Sequence, residues 1–188
     1  MSDKLFDGQE EVTVSNGRRL CIRAVRPTDK QKLLHGFENL SSESRYLRFL
    51  VHKNGLTQEE LRFFTEFDGI NHYALAVLEL DSQSQEGDCI GVARLIRVPD
   101  DANVGEVALV VTDTSQHKGI GRLLLQRLLT IAAVQGIRRV RFFCLPYNEP
   151  IRRLIKHVFE DATLRNEDGF STGEFDIPAH VRLSVSSL

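Results

Sequence analysis

The chain has 188 residues, enough for one domain with a substantial core. It carries 24 basic and 26 acidic side chains for a net charge of −2, with 41% hydrophobic and 27% charged residues. That balance excludes a general nucleic-acid binder, which would be clearly basic. Three scattered cysteines, Cys21, Cys89 and Cys144, form neither a disulfide framework nor a metal-ligand pair, which fits a reducing cytoplasm. The first residues, MSDKLFDGQEE, are acidic and lack an apolar core segment, so no signal peptide is read there. The longest apolar run, LLLQRLLTIAAV, is broken by Gln126 and Arg127 and falls short of a membrane span.

Residues 20–25, LCIRAV, read as a first strand, and Arg26-Pro27-Thr28-Asp29 ends it and opens a helix over about 29–40. Ser41-Ser42-Glu43-Ser44 caps a second short helix. Thr57, with Glu60 three positions on, forms a capping box for a third. Strands follow at 73–80, 89–98 and 104–112, with a polar loop over 81–88 and a turn over Asp100-Asp101-Ala102-Asn103. Ile120, Leu123, Leu124, Leu128, Ile131 and Ala132 recur at helical spacing, and Gly136 stands where a helix of about 119–135 would end. Residues 138–145 form a strand, Pro150 begins a helix to about 159, and two weaker strands flank Asp168-Gly169. The 104–145 stretch is a β-α-β unit, so its two strands are expected to be parallel.

Before that long helix lies SQHKGIGRLLL, residues 115–125. Two glycines at a helix mouth, flanked by Lys118 and Arg122, suit an anion: the first helical N–H groups lack partners and carry the positive end of the dipole. No G-x-x-x-x-G-K-[ST] run exists, so this is not a P-loop. A dinucleotide fingerprint fails because Leu124 stands at the third glycine and residues 138–145 contain no acid. Gln116-His117-Lys118-Gly119-Ile120-Gly121 instead resembles the [Q/R]-x-x-G-x-[G/A] pyrophosphate loop of the GNAT superfamily of N-acetyltransferases. Leu145-Pro146-Tyr147-Asn148 before the last helix, and Arg23-Ala24-Val25-Arg26-Pro27-Thr28-Asp29 near the start, are similar to other stretches of that family. Ser41 through Phe49 resembles its protein-lysine acetyltransferase branch.

The resemblance covers about residues 18–178 of a single expected domain. It implies an α/β fold of GNAT type: a mixed, mostly antiparallel sheet with a central parallel strand pair and helices on both faces. It implies acetyl-CoA as co-substrate and an amine acceptor, either a protein lysine or a small molecule; the six histidines include no H-E-x-x-H or paired spacing, so no metal is expected. Cofactor contacts would come from Leu109, Val110 and Val111 on the strand, from Gln116, His117, Lys118, Gly119, Ile120, Gly121 and Arg122 in the loop, and from Asn148. Glu106, a charge opening an otherwise apolar strand, would be the general base for direct transfer in a ternary complex. Many members use a Tyr as general acid six or seven residues after the Asn; here those positions hold Leu154 and Ile155. Tyr147 is a poor substitute by position. Cys144, with His157 as an activating base, is a candidate covalent nucleophile whose plainer reading is a small buried hydrophobe. Arg152, Arg153 and Lys156 are candidates for the 3′-phosphate of the cofactor or for a solvated helix face. The rival class is a non-catalytic module of the same fold that binds an acyl-CoA or a partner. No nucleic-acid or membrane partner is expected, and the oligomeric state, a homodimer included, stays open.

Overall fold

A computed structural model of the chain describes residues 8–14 and 17–181. Its eight strands are β1 (Glu10–Thr13), β2 (Arg19–Ala24), β3 (His72–Leu80), β4 (Glu86–Val98), β5 (Asp101–Val111), β6 (Arg139–Cys144), β7 (Arg165–Glu167) and β8 (Phe170–Asp176). They form one sheet in the order β1-β2-β3-β4-β5-β6-β8-β7. Every neighbouring pair is antiparallel except β5 and β6, which run parallel as the β-α-β reading requires.

The helices are α1 (Lys30–Glu38), α2 (Ser42–Phe49), α3 (Gln58–Thr65), α4 (Ile120–Val134) and α5 (Glu149–Val158). Their ends follow local chemistry. Ser41 accepts from the Ser44 N–H, and Thr57 and Glu60 make the reciprocal capping box. Gly136, at φ 76°, takes the left-handed position beyond α4. Asp168 and Gly169 both have positive φ, as a two-residue hairpin turn between β7 and β8 demands.

Strand alternation sorts the sheet into two faces. Leu75, Val77, Ala93, Leu95, Val107 and Val111 pack with Leu124, Leu128 and Ile131 of α4 and Ile155 of α5. Cys21, Ala74, Ala76, Leu78 and Cys89 pack with Leu33 of α1 on the other face. Helices therefore cover both faces. The expected turn over 100–103 is corrected to a two-residue connection: Val98 already pairs with Asp101, so only Pro99 and Asp100 lie between the strands. β1 was not expected. Its four residues alternate with Val12 as the single aliphatic side chain, too weak a pattern to register, yet it pairs fully with β2 at the sheet edge.

The sheet splits at its parallel pair. β5 and β6 are in register only from Val104↔Arg139 to Val107↔Phe142. Beyond that, Leu109 to Val111 pair with β4 alone, and Phe143 and Cys144 with β8 alone. Over this stretch the β6-facing edge of β5 has no partner strand among the described residues.

Arg23 and Asp29, the residues behind the opening similarity, form a buried two-pronged ion pair at 2.7 and 2.8 Å. Glu86 from β4 closes the network on Arg23 at 2.6 Å and on Lys32 at 2.7 Å. The motif thus clamps β2, α1 and β4 together. Replacing Asp29 by Ala leaves a buried guanidinium with half its partners. The expected loss is about 3 kcal/mol of unfolding free energy, near the low end for breaking a buried pair because Glu86 still binds Arg23. Urea denaturation measures it. Arg23 and Lys32 hold the Glu86 carboxyl down from 4.5 to about 2, against the opposing effect of burial. A lowered carboxylate pKa stabilises the fold above the unfolded value. That contribution disappears as the pH falls from about 4.5 toward 2.

Candidate active site

A cleft of about 420 Å³ lies where the sheet splits. Its walls are Ser44, Leu47 and Arg48 of α2, Leu109 to Val111 of β5, the loop and first turn of α4, and the first turns of α5. Most of the expected cofactor residues meet here: Leu109, Val110, Val111, Gln116, His117, Gly119, Gly121, Arg122 and Asn148 all line it. Two do not. Ile120 is 1% exposed and belongs to the core beneath α4. The Lys118 ammonium donates to the Thr114 carbonyl.

The two glycines have different reasons. Gly119 has φ 80° and caps α4 in the left-handed region, which side chains disfavour. Gly121 has no such constraint. A Cβ there would meet Leu109 and Leu154 at 3.7 Å, an ordinary contact. The protein's own packing does not require glycine at 121; a ligand lying against the cleft floor would. The N–H groups of Ile120, Gly121 and Arg122, in the first turn of α4, have no intrahelical acceptor and carry the positive end of the helix dipole.

Gln116 behaves differently from a ligand-binding side chain. Its amide donates to the Val111 carbonyl at 3.1 Å and to Ser44 Oγ at 3.2 Å. Asp113 accepts from the Ser41 N–H at 2.8 Å, from Ser41 Oγ at 2.7 Å and from Ser44 Oγ at 2.8 Å. The loop and α2 are therefore tied together at two points. The sequence marks Ser41 to Ser44 as a helix cap and Ser41 to Phe49 as a family likeness, but neither points to this bond with Asp113 and Gln116. Asn148 likewise caps α5, accepting from the Ile151 N–H at 3.3 Å.

Glu106 is exposed and does not line the cleft. It pairs across from Ile96, on the sheet face of α1 to α3, one residue before the β5–β6 register ends. Its charge acts on Arg48, which does line the cleft; burial lowers the Arg48 guanidinium to about 10, and Glu106 pulls the other way. At the positions of the usual Tyr, Leu154 lines the cleft and Ile155 is fully buried, and both are hydrocarbon side chains with no proton to give. Tyr147 is 60% exposed and outside the cleft walls. Cys144 is buried, which pushes its thiol up and suits a packing role. Arg153 and His157 line the cleft, whereas Arg152 donates to Ser171 at 3.0 Å. Among the described residues no cluster of three or more His, Cys, Asp or Glu could hold a metal, and no helix is long and apolar enough to cross a membrane.

A sheet that opens between two parallel strands, with a glycine loop at the mouth of the crossover helix, defines a recognisable class. The Acetyltransferase (GNAT) family profile matches residues 38–159, more than half of the chain, and the chain belongs to that family. Acetyltransferase Pat of Mycolicibacterium smegmatis (strain ATCC 700084 / mc(2)155) is 29% identical over 167 residues, covering 89% of this chain and 48% of that protein. This chain thus spans about half the length of that curated relative. The GNAT domain of S. lividans PAT superposes with a TM-score of 0.79 at 26% identity, over 89% of this chain and 96% of that one. A cAMP-binding acyltransferase from Mycobacterium smegmatis shares the fold, with a TM-score of 0.64 at 24% identity over 97% of this chain and 55% of that one.

Proposed function

We propose that this chain moves an acetyl group from acetyl-CoA to a primary amine, with a protein lysine as acceptor, by direct transfer in a ternary complex. The observation that carries the reading is Gly121: a position on the cleft floor, beside helix N–H groups without an intrahelical acceptor, where the protein's own packing would admit a side chain and a pyrophosphate would not. Acetyl-CoA supplies the activated acyl thioester. The β6-facing edge of β5 over Leu109 to Val111 offers backbone groups to an extended pantetheine arm, as an added strand would use them. The Val111 N–H, which the register turns to the open edge of β5, stabilises the oxyanion of the tetrahedral intermediate. The amine nitrogen forms the new C–N bond, the C–S bond breaks, and Glu106 accepts the amine proton directly or through water. With Leu154 and Ile155 at the positions of the usual Tyr, sulfur leaves as thiolate and takes its proton from water. A thiol of pKa about 8.5 departs readily that way. The protein-lysine preference rests on the resemblance of Ser41 through Phe49 to the protein-lysine acetyltransferase branch.

Calorimetry with acetyl-CoA, then thiol release with a panel of proteins and small amines, tests the reading. Saturable binding and thiol release with a protein acceptor are expected. Absence of binding would overturn the donor assignment, and release with small amines alone would overturn the acceptor.

A further inference from the structure

The described residues hold two buried side-chain polar atoms without a hydrogen-bond partner, Arg94 Nε and Thr112 Oγ1. Both side chains line the same cavity, about 70 Å³, between the sheet and the α1–α3 side. Buried polar atoms are rarely left unpaired, so two in one small space are a signal in themselves.

Arg94 makes the signal sharper. It is 3% exposed. One terminal nitrogen donates to the Phe64 carbonyl at 2.8 Å, and another meets His72 Nε2. The rings of Phe63 and Phe64 face the guanidinium. None of these partners is an anion. The charge it senses is a second cation, Arg48, which lines the same cavity; burial and that neighbour lower Arg94 to about 9. No ion pair among the described residues involves Arg48 or Arg94. The Glu106 charge acts on Arg48 but is not among the influences on Arg94, and a desolvated guanidinium beside a second cation costs stability unless an anion joins it.

The remaining walls are apolar, among them Leu33, Phe37, Ile90 and Val92. Val110 and Arg48 line both this cavity and the cleft, so the cavity opens beside the point of transfer. Its volume is several times the roughly 10–15 Å³ needed to hold one water. That suits a carboxylate on one or two methylenes.

We propose that this cavity is a carboxylate subsite, taking a short aliphatic chain that ends in a carboxylate and belongs to one of the two reactants. The Arg94 guanidinium and the Thr112 hydroxyl bind the carboxylate, the apolar walls hold the methylenes, and Arg48 stands between the subsite and the cleft. The chain arrives on the donor, as a dicarboxylic acyl-CoA, or on the acceptor, as an Asp or Glu side chain beside the target lysine. The transfer chemistry is that of the proposed acetyl transfer, on which this inference rests. The C–N bond forms, the C–S bond breaks, the amine loses its proton, and the carboxylate remains a spectator.

Equilibrium binding to the whole chain tests it with two matched pairs. The donor pair is succinyl-CoA against butyryl-CoA. The acceptor pair is a lysine peptide with Glu next to the lysine against the same peptide with Gln there, titrated into the protein saturated with CoA. At least one pair should favour the carboxylate by about tenfold or more, as a charge-assisted bond to a buried guanidinium would give, and which pair does so identifies the source. Arg94→Met should abolish that preference while acetyl-CoA affinity changes less than about threefold. Thr112→Val guards against misfolding of the first variant. It removes only an unpaired hydroxyl, so the melting temperature should hold while the preference falls measurably. Equal affinities in both pairs overturn the subsite and show a solvent-filled cavity. So does a preference that survives both substitutions. Acetyl-CoA binding on the same preparation separates this failure from failure of the donor assignment.

Discussion

Replacing Glu106 by Gln lowers amine acetylation at neutral pH by about 10²–10⁴-fold, the range for loss of a positioned general base. A lysine amine of pKa about 10.4 is deprotonated in about one molecule in several thousand at pH 7, so the reaction needs somewhere to put the proton. Glu106 is the carboxylate on β5 at the end of its register with β6, and its charge reaches Arg48 in the cleft wall. Glutamine keeps the shape of the side chain, exchanges one acceptor oxygen for an NH2 donor and removes its basicity. The variant should therefore keep its affinity for acetyl-CoA and lose turnover. Its rate should go on rising with pH toward the pKa of the amine, where the parent protein has already levelled. Steady-state kinetics from pH 6 to about 10 read both effects. Unchanged turnover and an unchanged profile would remove Glu106 from the mechanism.

Gly121→Glu weakens acetyl-CoA binding by about 100-fold or more, equivalent to about 2.7 kcal/mol. The structure makes this a clean experiment. The added Cβ meets Leu109 and Leu154 only at 3.7 Å, so the fold accommodates it. A carboxylate in the first turn of α4 interacts favourably with the helix dipole, so the melting temperature should hold or rise. Affinity and stability then move in opposite directions, which no general disruption of the fold can produce. Gly121→Ala is the graded control, with a firmer helix and a smaller loss of affinity. Calorimetry paired with thermal denaturation decides the matter. Affinity unchanged in the Glu variant would mean that no phosphate lies against this turn.

The parts of this architecture written in neighbouring residues were readable from sequence, and the parts made by distant ones were not. The Thr57–Glu60 box, the Gly136 terminator and the Asp168-Gly169 turn each depend on two or three adjacent side chains, and each stands as read. The parallel pairing of β5 and β6 followed from the length of the crossover. Its early end at Val107 did not, because strand divergence depends on what packs above and below both strands. Arg94 illustrates the limit most clearly. In CIGVARLIRV no neighbour marks it as buried, yet α1 to α3 bury it. Gln116 was legible as part of a phosphate loop, but the acceptors of its side chain, Ser44 and the Val111 carbonyl, are 72 and 5 positions away. Only the fold shows that its side chain braces the loop.

The ties among Ser41, Ser44, Asp113 and Gln116 have a practical consequence for redesign. An engineer who wished to give this scaffold a new acceptor preference would naturally exchange the α1–α3 region and leave the glycine loop alone. The hydrogen bonds forbid so simple a cut, because a graft lacking the two serines strands a carboxylate and an amide on the loop side. The serines, the aspartate and the glutamine are best inherited as one cassette. A chimera that carries all four should fold with its loop in register, and one that carries half should lose donor affinity without any change in the loop's own sequence.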